Sequence, residues 1–292
     1  MNMKRTIVAT VFAGLAVAFA APASAQLAEQ VPPPRLSWSF AGPFGQYDQA
    51  QLQRGFKIYR EVCSACHSLN LLSFRNLAEP GGPGFTEAQV KQIASEYKIK
   101  DLDDKGNPIE RPGRPADHFP PPFPNELAAK ANFGVAPPDM STLAKARTYQ
   151  RGFPWFVFDM FTQYQEQGPD YIAALLKGYR DPPPKGFQLP PGGHYNVYFP
   201  GHNIAMPPPL SAGQVKYDDG SPETMDQYSK DIAAFLMWAA EPSLDARKRI
   251  GFQVMVFLII LSGLLYFTKK KVWHDVHHEQ ESHGQGAGKT TA

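Results

Sequence analysis

Both cysteines of this 292-residue chain fall within one pentapeptide, Cys63-Ser64-Ala65-Cys66-His67. Two thiols three positions apart, followed at once by a histidine, is the spacing that attaches a c-type haem. Each thiol can form a thioether with one vinyl group of the same porphyrin, and the histidine is then held under the iron as its proximal ligand. A bare Cys-x-x-Cys also suits a redox dithiol or half of a zinc site. No βαβ pattern surrounds the motif, and the sequence offers no second ligand pair, so haem attachment is the stronger reading.

The two ends of the chain place it at a membrane. Residues 1–25 read as an export signal: Lys4 and Arg5, an apolar run from Ile7 to Ala20, then the small-residue site Ala23-Ser24-Ala25. Residues 26–246 are then an exported domain. A second apolar run, Ile250 to Thr268, carries no charge over 19 positions, about the length of a transmembrane helix. Lys269-Lys270-Lys271 follow it, with Trp273 as an interfacial anchor. Residues 247–271 are thus expected to be a single-pass anchor with basic flanks, and 272–292 a cytoplasmic tail. Arg247-Lys248-Arg249, on the outer flank, are expected to meet lipid headgroups or a partner subunit. The expected location is a bacterial inner membrane, with the haem domain in the periplasm.

Charge excludes one class of partner. The whole chain is formally +2, but residues 26–246 carry 20 basic and 24 acidic side chains, a net of −4. An exported acidic surface does not suit nucleic acid; it suits a basic partner steered by long-range attraction. Proline clusters at 32–34, 120–124, 182–184, 190–191 and 207–209 predict short helices joined by extended loops, with little sheet. Helices are expected from Gln49 to Val62 behind Asp48, Thr86 to about Lys98, Asn125 to Phe133 before Gly134, and Tyr171 to Lys177 before Gly178. Another should run from an N-cap at Ser221-Pro222-Glu223 to about Ala240, with Tyr228, Ile232, Phe235, Leu236 and Ala239 inward. Asp101-Leu102-Asp103-Asp104-Lys105-Gly106 faintly suggests a calcium loop, but Lys105 and Pro112 stand where ligands are needed, so a solvated acidic loop is expected.

Iron bound by His67 needs a second axial group, or it stays open to small molecules. A methionine thioether favours Fe(II) and raises the potential. Met140 lies at the shorter distance from His67, whereas Met206 sits in a stiff frame, between Phe199-Pro200-Gly201 and Pro207-Pro208-Pro209. Met225 and Met237 lie in the last expected helix, Met237 and Met160 read as packing, and His118, His194 and His202 are rivals. The residues alone divide the assignment between Met206 and Met140.

The chain resembles the cytochrome c1 family, the haem subunits of the ubiquinol:cytochrome c oxidoreductase (bc1) complex, in its bacterial form. The resemblance is carried by Arg54-Gly55-Phe56, Tyr59, Cys63 to Ser68, Ala131-Asn132, Pro137-Pro138-Asp139-Met140-Ser141 and Ala146-Arg147. It continues through Tyr198 to Pro208, Asp218-Asp219-Gly220, Trp238 to Pro242 and Arg247-Lys248-Arg249. It implies an all-α fold: a cytochrome c-like helical haem domain with long proline-rich loops plus one C-terminal transmembrane helix. It also implies one covalent haem c on Cys63 and Cys66 with His67 and Met206 as axial ligands, and makes Met140 apolar packing. Arg147 would pair with a propionate, and Tyr59, Asn132, Pro138 and Tyr171 would line the pocket. The implied role is electron carriage, not catalysis by the chain alone. An electron would come from the Rieske iron–sulfur protein and go to a c-type cytochrome, with the anchor packed in lipid against cytochrome b. Two departures stand out: a longer aromatic insertion at 149–169, and no extra cysteine pair. The rival classes are a haem subunit of a terminal oxidase or nitric oxide reductase, and a haem sensor with an open sixth position; the C-terminal span counts against the former.

Overall fold

The computed structural model describes residues 30–149, 151–162 and 164–286; the expected signal at 1–25 and the Met160 side chain lie outside that description. Along the chain come α1 (Gln49–Glu61), a one-turn 3-10 helix (Cys63–Ala65), a second 3-10 helix (Phe74–Ala78), α2 (Glu87–Ser95), and the hairpin β1 (Lys98–Leu102) and β2 (Pro108–Pro112). Then follow α3 (Glu126–Phe133), α4 (Leu143–Ala146), α5 (Trp155–Thr162), α6 (Gln167–Lys177), the two-residue strands β3 (His194–Tyr195) and β4 (Asn203–Ile204), α7 (Met225–Ala240) and α8 (Leu244–Gly286). The fold is mostly helical, with long loops between helices and one apolar C-terminal helix.

The frame is the crossing of α1 over α7. The Asp48 carboxylate accepts from the Ala50 and Gln51 N–H groups at 2.9 and 3.2 Å, a cap worth about 1 kcal/mol. From there α1 turns Leu52, Phe56, Ile58 and Tyr59 into the core. Phe56 and Tyr59 meet Phe235 of α7, with ring centroids 5.8 and 5.9 Å apart. Gly55 permits the approach: a Cβ there would lie 2.2 Å from the Asp231 carbonyl oxygen and 2.5 Å from the Phe235 Cβ. Each large side chain buried at this crossing contributes about 1.5–3 kcal/mol. On its other side α7 packs against α6 and α4, where Gly168 leaves no room for a Cβ beside the Ala144 carbonyl.

Three local expectations are corrected. The second predicted helix stops at Ser95, and the chain runs on as strand β1, paired with β2 from Lys98↔Pro112 to Leu102↔Pro108. The would-be calcium loop is the turn of this hairpin. The Asp103 carboxylate accepts from Lys105 N–H, Asn107 N–H and the Asn107 amide at 2.8–2.9 Å, and Arg111 clamps Asp101 and Asp117. The α7 cap is Thr224 rather than Ser221, with the Thr224 hydroxyl accepting from Gln227 N–H at 3.3 Å. Ser221 is engaged by Asp219 and Glu223 by Lys216 and the Tyr217 N–H, so those residues form the turn before the helix. The predicted inward residues of α7 are all buried.

The third correction concerns the outer basic flank. Leu244 to His274 of α8 form one stretch long and apolar enough to cross a membrane, with a mean hydropathy of 2.3 in its apolar window. At its start, Arg247 bonds the Glu241 carboxylate and the Gln165 amide oxygen, and Lys248 donates to the carbonyls of Phe40 and Gly45. Two of the three flanking cations therefore tie the helix to the body. Glu241 also takes Lys145 of α4, so one carboxylate joins α4, the end of α7 and the start of α8.

Candidate haem site

The pentapeptide begins where α1 ends. The Cys63 carbonyl accepts from the N–H groups of both Cys66 and His67, at 3.1 and 2.9 Å, which winds the motif into a single turn. Both cysteines are free and half-buried. Burial pushes the Cys63 thiol up to about 12, so it stays protonated, a poor state for a redox nucleophile or a zinc ligand. Among the described residues no cluster of three or more His, Cys, Asp or Glu side chains is placed to hold a metal ion.

His67 is 8% exposed. Its Nδ1 lies 2.8 Å from the Pro138 carbonyl oxygen, which can only accept, so Nδ1 carries the proton. The ring's lone pair is then on Nε2, the arrangement by which a second partner orients a metal-binding histidine. Burial lowers the imidazole's pKa, against smaller opposing effects from that hydrogen bond and from Asp139, and keeps the ring neutral. The Tyr59 hydroxyl donates to the His67 carbonyl at 3.3 Å, and burial raises its own pKa.

Asp139, which sequence reasoning quoted only as part of a motif, fixes the segment that carries Pro138. Its carboxylate accepts from the Ser68 hydroxyl, the Asn70 N–H and the Ser141 N–H, each at 2.8 Å. Met140 N–H donates to the Ser68 carbonyl at 2.9 Å, so the segment is stitched alongside the residues after His67. Burial opposes the Asp139 charge, but the bonds from Asn70, Ser141 and Ser68 prevail and hold its pKa below the usual carboxylate range. A depressed pKa stabilises the fold above the unfolded value, near 3.9, and that contribution disappears as pH falls through the folded value. Asp139→Asn should cost about 1–2 kcal/mol at neutral pH, the low end for a charged, half-exposed acceptor. It should also flatten the loss of thermal stability seen on acidification below about pH 4. An unchanged acid limb in thermal melts would count against this clamp.

Met206 follows strand β4. Gly201 and His202 both take left-handed backbone, with φ of 72° and 59°, making the tight turn that returns the chain to β4. Asn196, fully buried, anchors that turn: its amide donates to the Leu175 carbonyl of α6 at 2.8 Å and accepts from the Tyr198 N–H at 3.0 Å. The Tyr179 hydroxyl, just past α6, donates to the Met206 carbonyl at 3.0 Å. Met206 itself is half-buried, whereas Met140 is buried in the core cluster. Among the rival histidines, His202 stacks on Tyr195 and its Nδ1 lies 3.2 Å from the Asn196 carbonyl.

Arg147 caps the end of α4 and is exposed. Tyr171 of α6 is buried; burial raises its pKa and the nearby Arg147 charge works against that rise. Tyr171 in turn perturbs Tyr179, so Arg147, Tyr171, Tyr179 and the Met206 loop form one neighbourhood. Asn132 is exposed and donates back to the Ala128 carbonyl of its own helix at 2.8 Å. Pro138 contributes its carbonyl to His67. Asn196, Tyr179 and Asp139 are the positioning residues that sequence reasoning missed. Only Tyr179 left a local signal, as the residue that follows the glycine C-cap of α6.

The donor set fits a c-type haem: two free thiols on one turn and a neutral imidazole with Nε2 uncommitted. A family model described as Cytochrome C1 family matches residues 38–276. A relative named cytochrome b/c1, from Bradyrhizobium diazoefficiens, is 64% identical over 84% of this chain; the match spans only 36% of that relative. A cytochrome c1 from Blastochloris viridis is 53% identical, covering 90% of this chain and 95% of the relative. One from Rhodospirillum rubrum is 43% identical, covering 82% and 87%.

Proposed function

The chain belongs to the cytochrome c1 family, the haem c electron-transfer subunits of the bc1 complex, and on that premise we propose how its own residues do this work. Cys63 and Cys66 would carry the two thioether bonds of a haem c, and His67 and Met206 would hold its iron. When bound, the haem supplies one-electron chemistry at iron. The observation that carries the reading is the His67 Nδ1 to Pro138 carbonyl bond, which aims a neutral Nε2 away from the protein's own acceptors. Met206 brings a soft thioether that favours the ferrous state. Arg147 supplies the charge-assisted partner that a propionate needs. Tyr59, Asn132, Pro138 and Tyr171 line the pocket. Of the described α3 residues Ala129 alone is buried, while Leu127, Phe133 and nearby Val135 are exposed, an apolar surface that suits a porphyrin face.

The chain takes one electron from the Rieske iron–sulfur protein and delivers it to a c-type cytochrome. Cytochrome b is the neighbour of its anchor, a reading supported by the relative whose name joins b and c1. The membrane-anchored haem domain, residues 26–246, faces the periplasm, the span lies within 247–271, and 272–292 face the cytoplasm. Carbon monoxide tests the ligand set directly: with both axial positions filled, the spectrum of the reduced complex should not change on its addition. Ready binding would overturn the His/Met assignment. The acidic domain leads to a second expectation, that delivery to a basic acceptor slows as salt shortens the Debye length from about 10 Å at 0.1 M to about 3 Å at 1 M. A flat salt profile would remove electrostatic steering.

A further inference from the structure

Helix α5 is turned inside out for a helix in water. Trp155, Phe156, Phe158 and Phe161 are all exposed, Phe161 at 83%, and so is Phe153 just before them. The helix's one carboxylate, Asp159, is 7% exposed. Asp159 is paired with Arg151, accepts from the Gln167 amide at 3.1 Å, and lies 3.7 Å from the Arg35 guanidinium. Arg35 also lies over the Tyr164 ring at 4.1 Å, and the Tyr164 hydroxyl donates to buried Asp170. This polar network holds α5 to the body through buried Asp159, with Arg151 also over the Trp155 ring at 4.9 Å, and the aromatic rings of the helix stay exposed. A solvated amphipathic helix shows the reverse order, polar out and apolar in.

The position of the helix identifies what covers the rings. Gln165, three residues past α5, bonds Arg247 at the start of α8. There Phe44, itself exposed, meets Phe252 of the membrane stretch edge-on, 5.4 Å between centroids. Arg35 and Arg151 flank α5 at Asp159, and Arg247 and Lys248 stand at the start of the membrane stretch. Tryptophan and phenylalanine with a basic fringe is the composition of interfacial helices. We infer that α5, with Phe153 ahead of it, lies in the outer headgroup boundary of the bilayer as a second, peripheral membrane contact of this subunit. The inference rests on the reading of Leu244–His274 as a membrane span.

The test uses the full chain in its complex, reconstituted into vesicles of phosphatidylcholine and phosphatidylglycerol. Because both native cysteines belong to the haem motif, single spin labels can be placed at Phe156→Cys, Phe161→Cys, Leu264→Cys and Asp104→Cys. Collisions with oxygen and with a water-soluble nickel chelate report depth. The labels on α5 should read about 5–10 Å below the phosphates, Leu264→Cys deeper, and Asp104→Cys in water. If the α5 labels match Asp104→Cys, the inference is overturned. It is overturned equally if they are immobile and shielded from both relaxants, which would place a protein partner over the rings. A water-like Leu264→Cys label would instead overturn the span itself, so the two failures are distinguishable.

Discussion

Met206→Leu should lower the reduction potential by on the order of 100 mV or more, within the roughly 0.8 V over which axial ligands tune haem. On the proposed ligation, losing the thioether removes the ligand that would stabilise ferrous iron. Leucine occupies nearly the same volume, and such exchanges usually cost under about 1.5 kcal/mol, so the domain should still fold. The loop's hold on the body is independent of the side chain, because Tyr179 bonds the Met206 carbonyl and Asn196 anchors the preceding turn. The variant should therefore keep its covalent haem, bind carbon monoxide when reduced, and slow electron transfer through the complex. Met140→Leu is the control, since Met140 sits in the core cluster and its replacement should leave potential and spectrum unchanged. If Met140→Leu lowers the potential and Met206→Leu does not, the second ligand has been assigned to the wrong sulfur. Redox titration of both variants decides it.

The two methionines also show where the sequence stopped being informative. Spacing identified the attachment motif because thioether chemistry demands two thiols on one turn, and α1 delivers that turn where periodicity placed it. Helix starts were legible where a side chain caps its own helix, as at Asp48, Thr86 and Asn125. At Ser221 the same signal misled, because Asp219 claims that serine and Thr224 caps the helix. The β1–β2 hairpin was invisible as a strand pattern; its strands mix charged and apolar residues that are mostly exposed, with no buried face, and Arg111 holds it through Asp101 and Asp117. The residues alone left Met206 and Met140 open. The structure distinguishes their settings: Met140 lies in the core cluster, whereas Met206 sits on a loop held by Tyr179 and Asn196 through bonds that join positions far apart in the chain. The role of Asp139 was hidden for the same reason, since two of its three partners, Ser68 and Asn70, lie about seventy positions upstream.

Arg54→Ala should remove about 3–5 kcal/mol of stability, because it leaves a buried charge without its counter-ion. Asp231 is fully buried in α7, and Arg54 of α1 reaches it with Nε at 2.9 Å and Nη2 at 3.4 Å. Gln51, Gln227 and the Tyr217 hydroxyl also donate to that carboxylate, at 3.3, 2.9 and 2.8 Å, so the loss should fall near the lower bound. At roughly 2–4 °C per kcal/mol for a domain of this size, melting should drop by about 6–12 °C. Arg54 also bonds Asp219 at 2.7 Å, but that carboxylate is solvated, and Asp219→Ala should cost no more than about 1 kcal/mol. The contrast separates the buried pair from the surface one. Removing both buried charges, as Arg54→Leu with Asp231→Leu, should recover much of the lost stability, because the penalty lies in the orphaned charge and not in the absent attraction. The effect should reach the haem, since α1 runs from this ion pair directly into the Cys63 turn. A melt of Arg54→Ala within 2 °C of wild type, a bound drawn from about 1 kcal/mol or less, would show that the α1–α7 crossing is held by its aromatic contacts and by Gly55 alone.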